Sequence, residues 1–160
     1  MNFPILSYLI LLPSIGALFI LITRSSNKSN YRSTKYVALF ASFANFIISI
    51  YLWYIFDSNV ADFQFIENRV WLKGFINYKV GIDGISILFI ILTTFISSLC
   101  IVSVNNTITV KLKEFLIAIL LMESLMIGVF CSLDLVIFYL FFEGGLIPMF
   151  LIIGIWGGPR

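Results

Sequence analysis

The chain has 160 residues, 61% of them hydrophobic and 11% charged, far from the roughly one-quarter charged residues of soluble globular domains. Ten Lys and Arg against eight Asp and Glu leave a net charge of +2, with no histidine at all. The bases lie in loops and form no patch interleaved with stacking aromatics, which argues against a nucleic-acid partner and makes the lipid bilayer the main solvent.

Five apolar stretches of about 18 to 23 residues each suffice to cross a hydrocarbon core of roughly 30 Å at 1.5 Å per residue. They predict helices at about 4–23, 36–56, 84–104, 115–132 and 135–156, a single all-α membrane domain over 1–160. The first stretch lacks a positive leading region and a small-residue cleavage site and carries Pro4 and Pro13, so it is expected to be a retained span and not a signal peptide. Residues 24–35 follow, with Arg24, Lys28, Arg32 and Lys35 and no acid. After the second span comes the one sizeable extramembrane segment, 57–83. There Asp62, Phe63, Gln64 and Phe65 alternate polar and apolar before Trp71 and a second short run at 75–80, which predicts a small interfacial hairpin.

Asp83 and Asp134 stand at helix starts, where a carboxylate accepts backbone N–H groups and meets the positive end of the helix dipole. In the fourth helix Ser124, Gly128 and Ser132 recur every four residues, a small face suited to close packing. Cys100 and Cys131 are 31 positions apart, with no CxxC spacing and no metal-ligating neighbours, and are expected to be packing residues.

Five spans force the loops to alternate sides. One side collects Arg24, Lys28, Arg32, Lys35, Lys111, Lys113 and Arg160, seven bases, and the other Arg69, Lys73 and Lys79, three. The richer side is expected to face the cytoplasm or matrix, with the N-terminus opposite. Asn27-Lys28-Ser29 and Asn105-Asn106-Thr107 match the glycosylation pattern but fall on that inner side, so they are discounted.

Only Glu123 and Glu143 are ionisable near the centre of any span. A charge there costs about 2.5–3.5 kcal/mol on insertion scales, so such groups usually face a bundle interior or a water path. Each lies ten positions from Leu133 in the turn joining the last two helices, hence about 15 Å from that turn and level with the bilayer midplane. Helix rotation is left open by spacing alone. If the two faces meet, the carboxyls form a pair that titrates as a unit, which is what a proton relay wants. The alternative is a neutral buried glutamate that hydrogen-bonds a neighbouring helix.

The fifth helix is irregular around its acid, in Phe141-Phe142-Glu143-Gly144-Gly145-Leu146-Ile147-Pro148. Pro148 has no N–H for the Gly144 carbonyl, and two glycines weaken the same turn. Freed backbone beside a carboxyl can hold water, although a packing kink explains the same residues. Tyr139, four residues before Glu143, shares its face and is placed to donate a hydrogen bond. No nucleophile–base triad, phosphate loop, haem or iron–sulfur ligand set is visible.

Phe63-Gln64-Phe65-Ile66-Glu67, Trp71-Leu72, Val80-Gly81-Ile82-Asp83-Gly84-Ile85-Ser86, Met122-Glu123-Ser124, Asp134-Leu135, Phe141-Phe142-Glu143, Leu146-Ile147-Pro148-Met149-Phe150 and Ile153-Gly154-Ile155-Trp156-Gly157 together resemble chain 4, chain M in bacteria, of the proton-translocating NADH–quinone oxidoreductase, respiratory complex I. The resemblance covers nearly the whole chain. It implies an antiporter-like fold of about fourteen spans with two inverted repeats, of which this chain supplies about five. It also implies that the glutamate matching Glu143 works with a lysine on a later helix and that the one matching Glu123 lies nearby. No lysine here lies within a span, so the partner is expected in a continuation of the chain or in a separate chain docked against it. Electrons would flow elsewhere, with FMN, iron–sulfur clusters and ubiquinone in other subunits, and other membrane-arm subunits would be partners. The alternatives are a subunit of a multisubunit cation/proton antiporter and a non-transporting assembly piece. Richness in Ile, Phe, Asn, Ser and Lys points to the mitochondrial inner membrane over a bacterial plasma membrane.

Overall fold

The computed structural model describes residues 4–22, 28–72, 76–104 and 111–157. Five helices form the bundle: α1 (Ile5–Ile22), α2 (Lys28–Ile55), α3 (Gly84–Ser103), α4 (Leu112–Cys131) and α5 (Leu135–Trp156). All five are long and apolar enough to span a membrane, α2 through its Ser33–Ile55 part. Between α2 and α3 lies an antiparallel hairpin, β1 (Gln64–Leu72) and β2 (Ile76–Ile82).

Two helices start earlier than their apolar runs. The segment 28–35, expected as loop, is helical, as are residues 112–114 ahead of the expected start of α4. Lys28 to Lys35 contains neither Gly nor Pro, so nothing stops the helix from running past the bilayer into water, where side chains of any polarity are solvated. Apolar periodicity marks the lipid boundary, and the helix continues beyond it. Arg24, Lys73, the Asn105-Asn106-Thr107 string and Arg160 lie outside the described residues.

α4 is the central helix, packed against α1, α3 and α5 and, more lightly, α2. Two apolar clusters hold the bundle. One joins Leu6, Leu9 and Ile10 of α1 to Leu52, Ile87, Ile90, Ile127 and Cys131, with Val80 and Ile82 of the hairpin beneath. The other joins Ala17 and Ile20 to Ala38, Ala41, Ile101, Phe115, Leu116, Ile119 and Leu120 at the opposite end. Small residues allow the close crossings: a Cβ on Gly16 would stand 2.6 Å from Ala41, and one on Gly128 2.6 Å from the Phe141 ring. α5 uses Ile137, Phe141, Gly144 and Pro148, at three- and four-residue spacing, against α4, and the Phe115 and Trp156 rings meet edge-on 5.1 Å apart at its far end. Cys131 is buried and Cys100 lies on the exposed surface of α3.

At one end of the bundle, lysines close the carbonyl ends of neighbouring helices. Lys35 Nζ donates to Val102 O at 3.3 Å and Lys113 Nζ to Leu21 O at 3.0 Å, placing positive charge at the negative poles of α3 and α1. This is the side that the excess of bases assigns to the cytoplasm or matrix. A single cysteine introduced as Lys28→Cys, in a background with Cys100 and Cys131 replaced, is therefore expected to be labelled by an impermeant reagent only from that side. Labelling from the opposite side would invert all five spans.

At the other end the hairpin closes the bundle. Pairing of Gln64 with Ile82 and of Glu67 with Val80 leaves Phe65 and Ile66 opposite Gly81 alone, a bulge in which Phe65 takes φ 54°. Gly81 is closely packed: a Cβ there would stand 2.7 Å from the tip of the Leu133 side chain, which would have to shift. The Leu133 N–H donates to Lys79 O at 2.9 Å and Ser132 bridges to Val80, so the hairpin also fixes the α4–α5 turn. Glu67 then caps α1 from sixty residues away. Its Oε1 accepts from the N–H groups of Leu6 at 2.9 Å and Ser7 at 3.3 Å, and its Oε2 accepts from the Ser7 hydroxyl. Ser7 has spent its hydrogen on Glu67, so the Tyr78 hydroxyl, 3.1 Å away, donates to Ser7. Burial pushes the Tyr78 phenol above its usual value, which keeps it a donor.

Asp83 caps α3 by accepting from Ser86 N at 2.7 Å, and Asp134 caps α5 by accepting from Val136 N at 2.9 Å and Ile137 N at 3.3 Å. The Ser86 hydrogen bonds hold the Asp83 carboxyl below the usual carboxylate range. Its stabilising contribution is thus full above the unfolded carboxylate value and is lost only as pH falls through the depressed one.

Candidate functional site

Between the two apolar clusters runs a layer of buried polar side chains. α2 contributes Ser42, Asn45 and Ser49, spaced by three and four residues, α3 contributes Thr94 and Ser97, and α4 contributes Glu123 and Ser124. Such spacing puts each set on one helical face. The layer is tied together helix to helix: Ser49 Oγ and Thr94 Oγ1 are 2.9 Å apart, Ser42 Oγ and Ser98 Oγ 2.8 Å, and Ser14 Oγ donates to Ser124 Oγ at 2.8 Å. Ser124 in turn donates to the Ile10 carbonyl. The small stripe of α4 thus has two uses, hydrogen-bonding α1 through Ser124 and seating Phe141 of α5 on Gly128.

Glu123 sits in this layer, 2% exposed. Its Oε1 accepts from Asn45 Nδ2 at 2.8 Å. Its Oε2 and the Asn45 Oδ1 are both buried without a hydrogen-bond partner. Ser42 and Ser97 stand beside the carboxyl, yet Ser97 Oγ donates to Thr93 O at 2.7 Å.

Glu143 is placed differently. It lies on the exposed face of α5, away from the Ile137, Phe141, Gly144 and Pro148 face that packs on α4. Tyr139, 59% exposed, shares that face and stands beside the Glu143 carboxyl. Pro148 is buried inside α5 and offers no N–H to the Gly144 carbonyl. Equal depth therefore does not bring the two carboxyls together: Glu123 turns toward α2 and α3, Glu143 toward the outer face of α5. Asn45 is the site residue the sequence reading passed over. Its signal was an amide in mid-span flanked by Ser42 and Ser49 on the same face.

The fold and this layer define a multi-pass helical membrane protein with one carboxyl sealed between its helices and a second carried on an open helix face. No family model matches the chain. It is 50% identical to NADH-quinone oxidoreductase subunit M of Rhodobacter capsulatus over 98% of this chain and 30% of that protein. It is 46% identical to NADH-ubiquinone oxidoreductase chain 4 of Marchantia polymorpha over 97% and 31%, and 45% identical to subunit M of Rickettsia prowazekii over 100% and 33%. Over its whole length the chain is similar to the N-terminal part of the larger subunit in proteins named subunit M and chain 4. It spans about a third of the length of these relatives. Relatives under both names, together with the five spans, fit a multi-pass protein of an inner or plasma membrane.

Proposed function

We propose that this chain is part of the membrane arm of proton-translocating NADH–ubiquinone oxidoreductase, respiratory complex I, in the mitochondrial inner membrane. Its carboxyls carry protons while electrons pass from NADH to ubiquinone through FMN and iron–sulfur clusters in other subunits. The observation that carries this reading is Glu123, a carboxyl enclosed in a polar interhelical layer, with the second carboxyl, Glu143, at matched depth on the next helix. Glu143 supplies the way onward. An intramembrane carboxyl facing lipid is expensive, so the outer face of α5 is covered by protein: the remaining part of the same antiporter-like subunit, bearing the lysine that the resemblance implies, and other membrane-arm subunits beyond it. Tyr139 stands on the same face beside the Glu143 carboxyl, and the carbonyl freed by Pro148 adds an acceptor nearby.

Purification through a tag on this chain tests the assignment. NADH-oxidising peripheral subunits carrying flavin and iron–sulfur clusters are expected to co-purify. Recovery of small antiporter subunits instead, or of neither set, would contradict it.

A further inference from the structure

Hydrogen-bond bookkeeping around Glu123 leaves one hydrogen missing. Asn45 Nδ2 donates to Glu123 Oε1 at 2.8 Å, which leaves Glu123 Oε2 and Asn45 Oδ1 as two buried acceptors without partners. The neighbouring hydroxyls spend their hydrogens elsewhere. Ser97 Oγ donates to Thr93 O at 2.7 Å. Ser98 Oγ donates to Thr94 O at 2.9 Å, so Ser42 Oγ, 2.8 Å from Ser98 Oγ, gives its own hydrogen to Ser98. The carboxyl is thus ringed by oxygens with lone pairs to offer, in a layer closed above and below by apolar clusters. Buried acceptors in such numbers call for a donor.

We propose that Glu123 and Asn45 form a single proton-holding pair. In the resting protein Glu123 is a carboxylic acid that carries its proton on Oε2 and shares it with the oxygens around it, Asn45 Oδ1 foremost, while Asn45 Nδ2 holds Oε1. An acid and a primary amide are complementary in this way: each accepts at one atom and donates from the other. Asn45 does not itself titrate. It is a positioning residue, fixing the carboxyl so that the proton arrives at and leaves from Oε2, and keeping Oε1 bonded after departure. Ser42 with Ser98 on one side of Asn45 along α2, and Ser49 with Thr94 on the other, continue the line of hydroxyls in both directions. The inference deepens the proton-carrying reading of this site, but it rests on the hydrogen-bond geometry alone and applies to whatever assembly contains the chain.

Infrared difference spectroscopy on the purified native assembly tests it, read at rest and without turnover, in H2O and in D2O. Wild type minus Glu123→Gln is expected to show a carboxylic-acid C=O band that moves on deuteration. In Asn45→Leu that band is expected at higher frequency, because the carbonyl has lost its donor. A change in packing alone would not turn an acid band into the marker of a lost hydrogen bond. Should Asn45→Leu fail to assemble, Asn45→Ser shortens the side chain out of reach, keeps a polar atom, and gives the same readout. A carboxylate doublet in place of the acid band, or an acid band unmoved by the Asn45 variant, would overturn the pair. Because no pumping is measured, that failure is separate from failure of co-purification with NADH-oxidising subunits.

Discussion

Glu143→Gln is expected to assemble normally yet lose coupled NADH–quinone turnover, by about tenfold or more if proton transfer through this group contributes on the scale usual for a positioned acid or base. The substitution keeps size and polarity, and the side chain lies on the open face of α5, where α4 packing through Phe141, Gly144 and Pro148 does not depend on it. Gln has no exchangeable charge. Glu143→Asp should retain part of the activity, since the acid survives with its reach shortened by one methylene. Glu123→Gln should be milder, because an amide at position 123 can both accept from Asn45 Nδ2 and donate to Asn45 Oδ1, leaving the layer intact. The measurement is the quinone reductase rate in membranes, normalised to the amount of fully assembled complex. Equal rates for wild type and Glu143→Gln would return Glu143 to a structural role.

Glu67→Ala is expected to produce the largest loss of stability among single changes outside the spans. One carboxylate accepts from the Leu6 and Ser7 N–H groups and from the Ser7 hydroxyl, and Tyr78 leans on the same Ser7. Hydrogen bonds to a charged group contribute about 1.5–3 kcal/mol, and loss of a helix cap about 0.5–2 kcal/mol. The half-buried setting discounts the sum to about 2–3 kcal/mol. The lesion is local to the joint between α1 and the hairpin, so the hairpin should become the first point of proteolysis in detergent, at lower temperature than in wild type. Glu67→Gln, which keeps an acceptor oxygen without the charge, should fall between. Wild-type thermal stability and protease resistance in Glu67→Ala would show that the α1 N-terminus does not need this cap.

The spans were legible because lipid imposes one rule, twenty or so apolar residues in a helix that satisfies its own backbone. The capping roles of Asp83 and Asp134 were legible because the carboxylate and the N–H groups it accepts are two or three residues apart. The cap supplied by Glu67 was not, since it joins residues sixty positions apart. The helical stretch at 28–35 was hidden because polarity marks where the bilayer ends and carries no instruction to stop the helix. Depth along an axis follows from counting residues, so the level of Glu123 and Glu143 was fixed by their distance from Leu133. Rotation about the axis depends on which neighbours pack where. It took the seating of Phe141 on Gly128, and Asn45 on the far side of α4, to show the two acids facing apart. Asn45 itself matters only through a partner 78 positions away, a pairing that periodicity within one helix does not reveal.

The claim that the mid-membrane acids of this chain carry protons meets its most direct test in proton uptake recorded together with turnover. Purified complex containing Glu143→Gln, reconstituted into tight proteoliposomes, would be driven by NADH and a soluble quinone while proton uptake and NADH oxidation are recorded together. Proton uptake is expected to fall with turnover in the fully assembled variant, and Glu143→Asp to restore part of both. A fully assembled Glu143→Gln complex with wild-type turnover and wild-type protons per electron would contradict it.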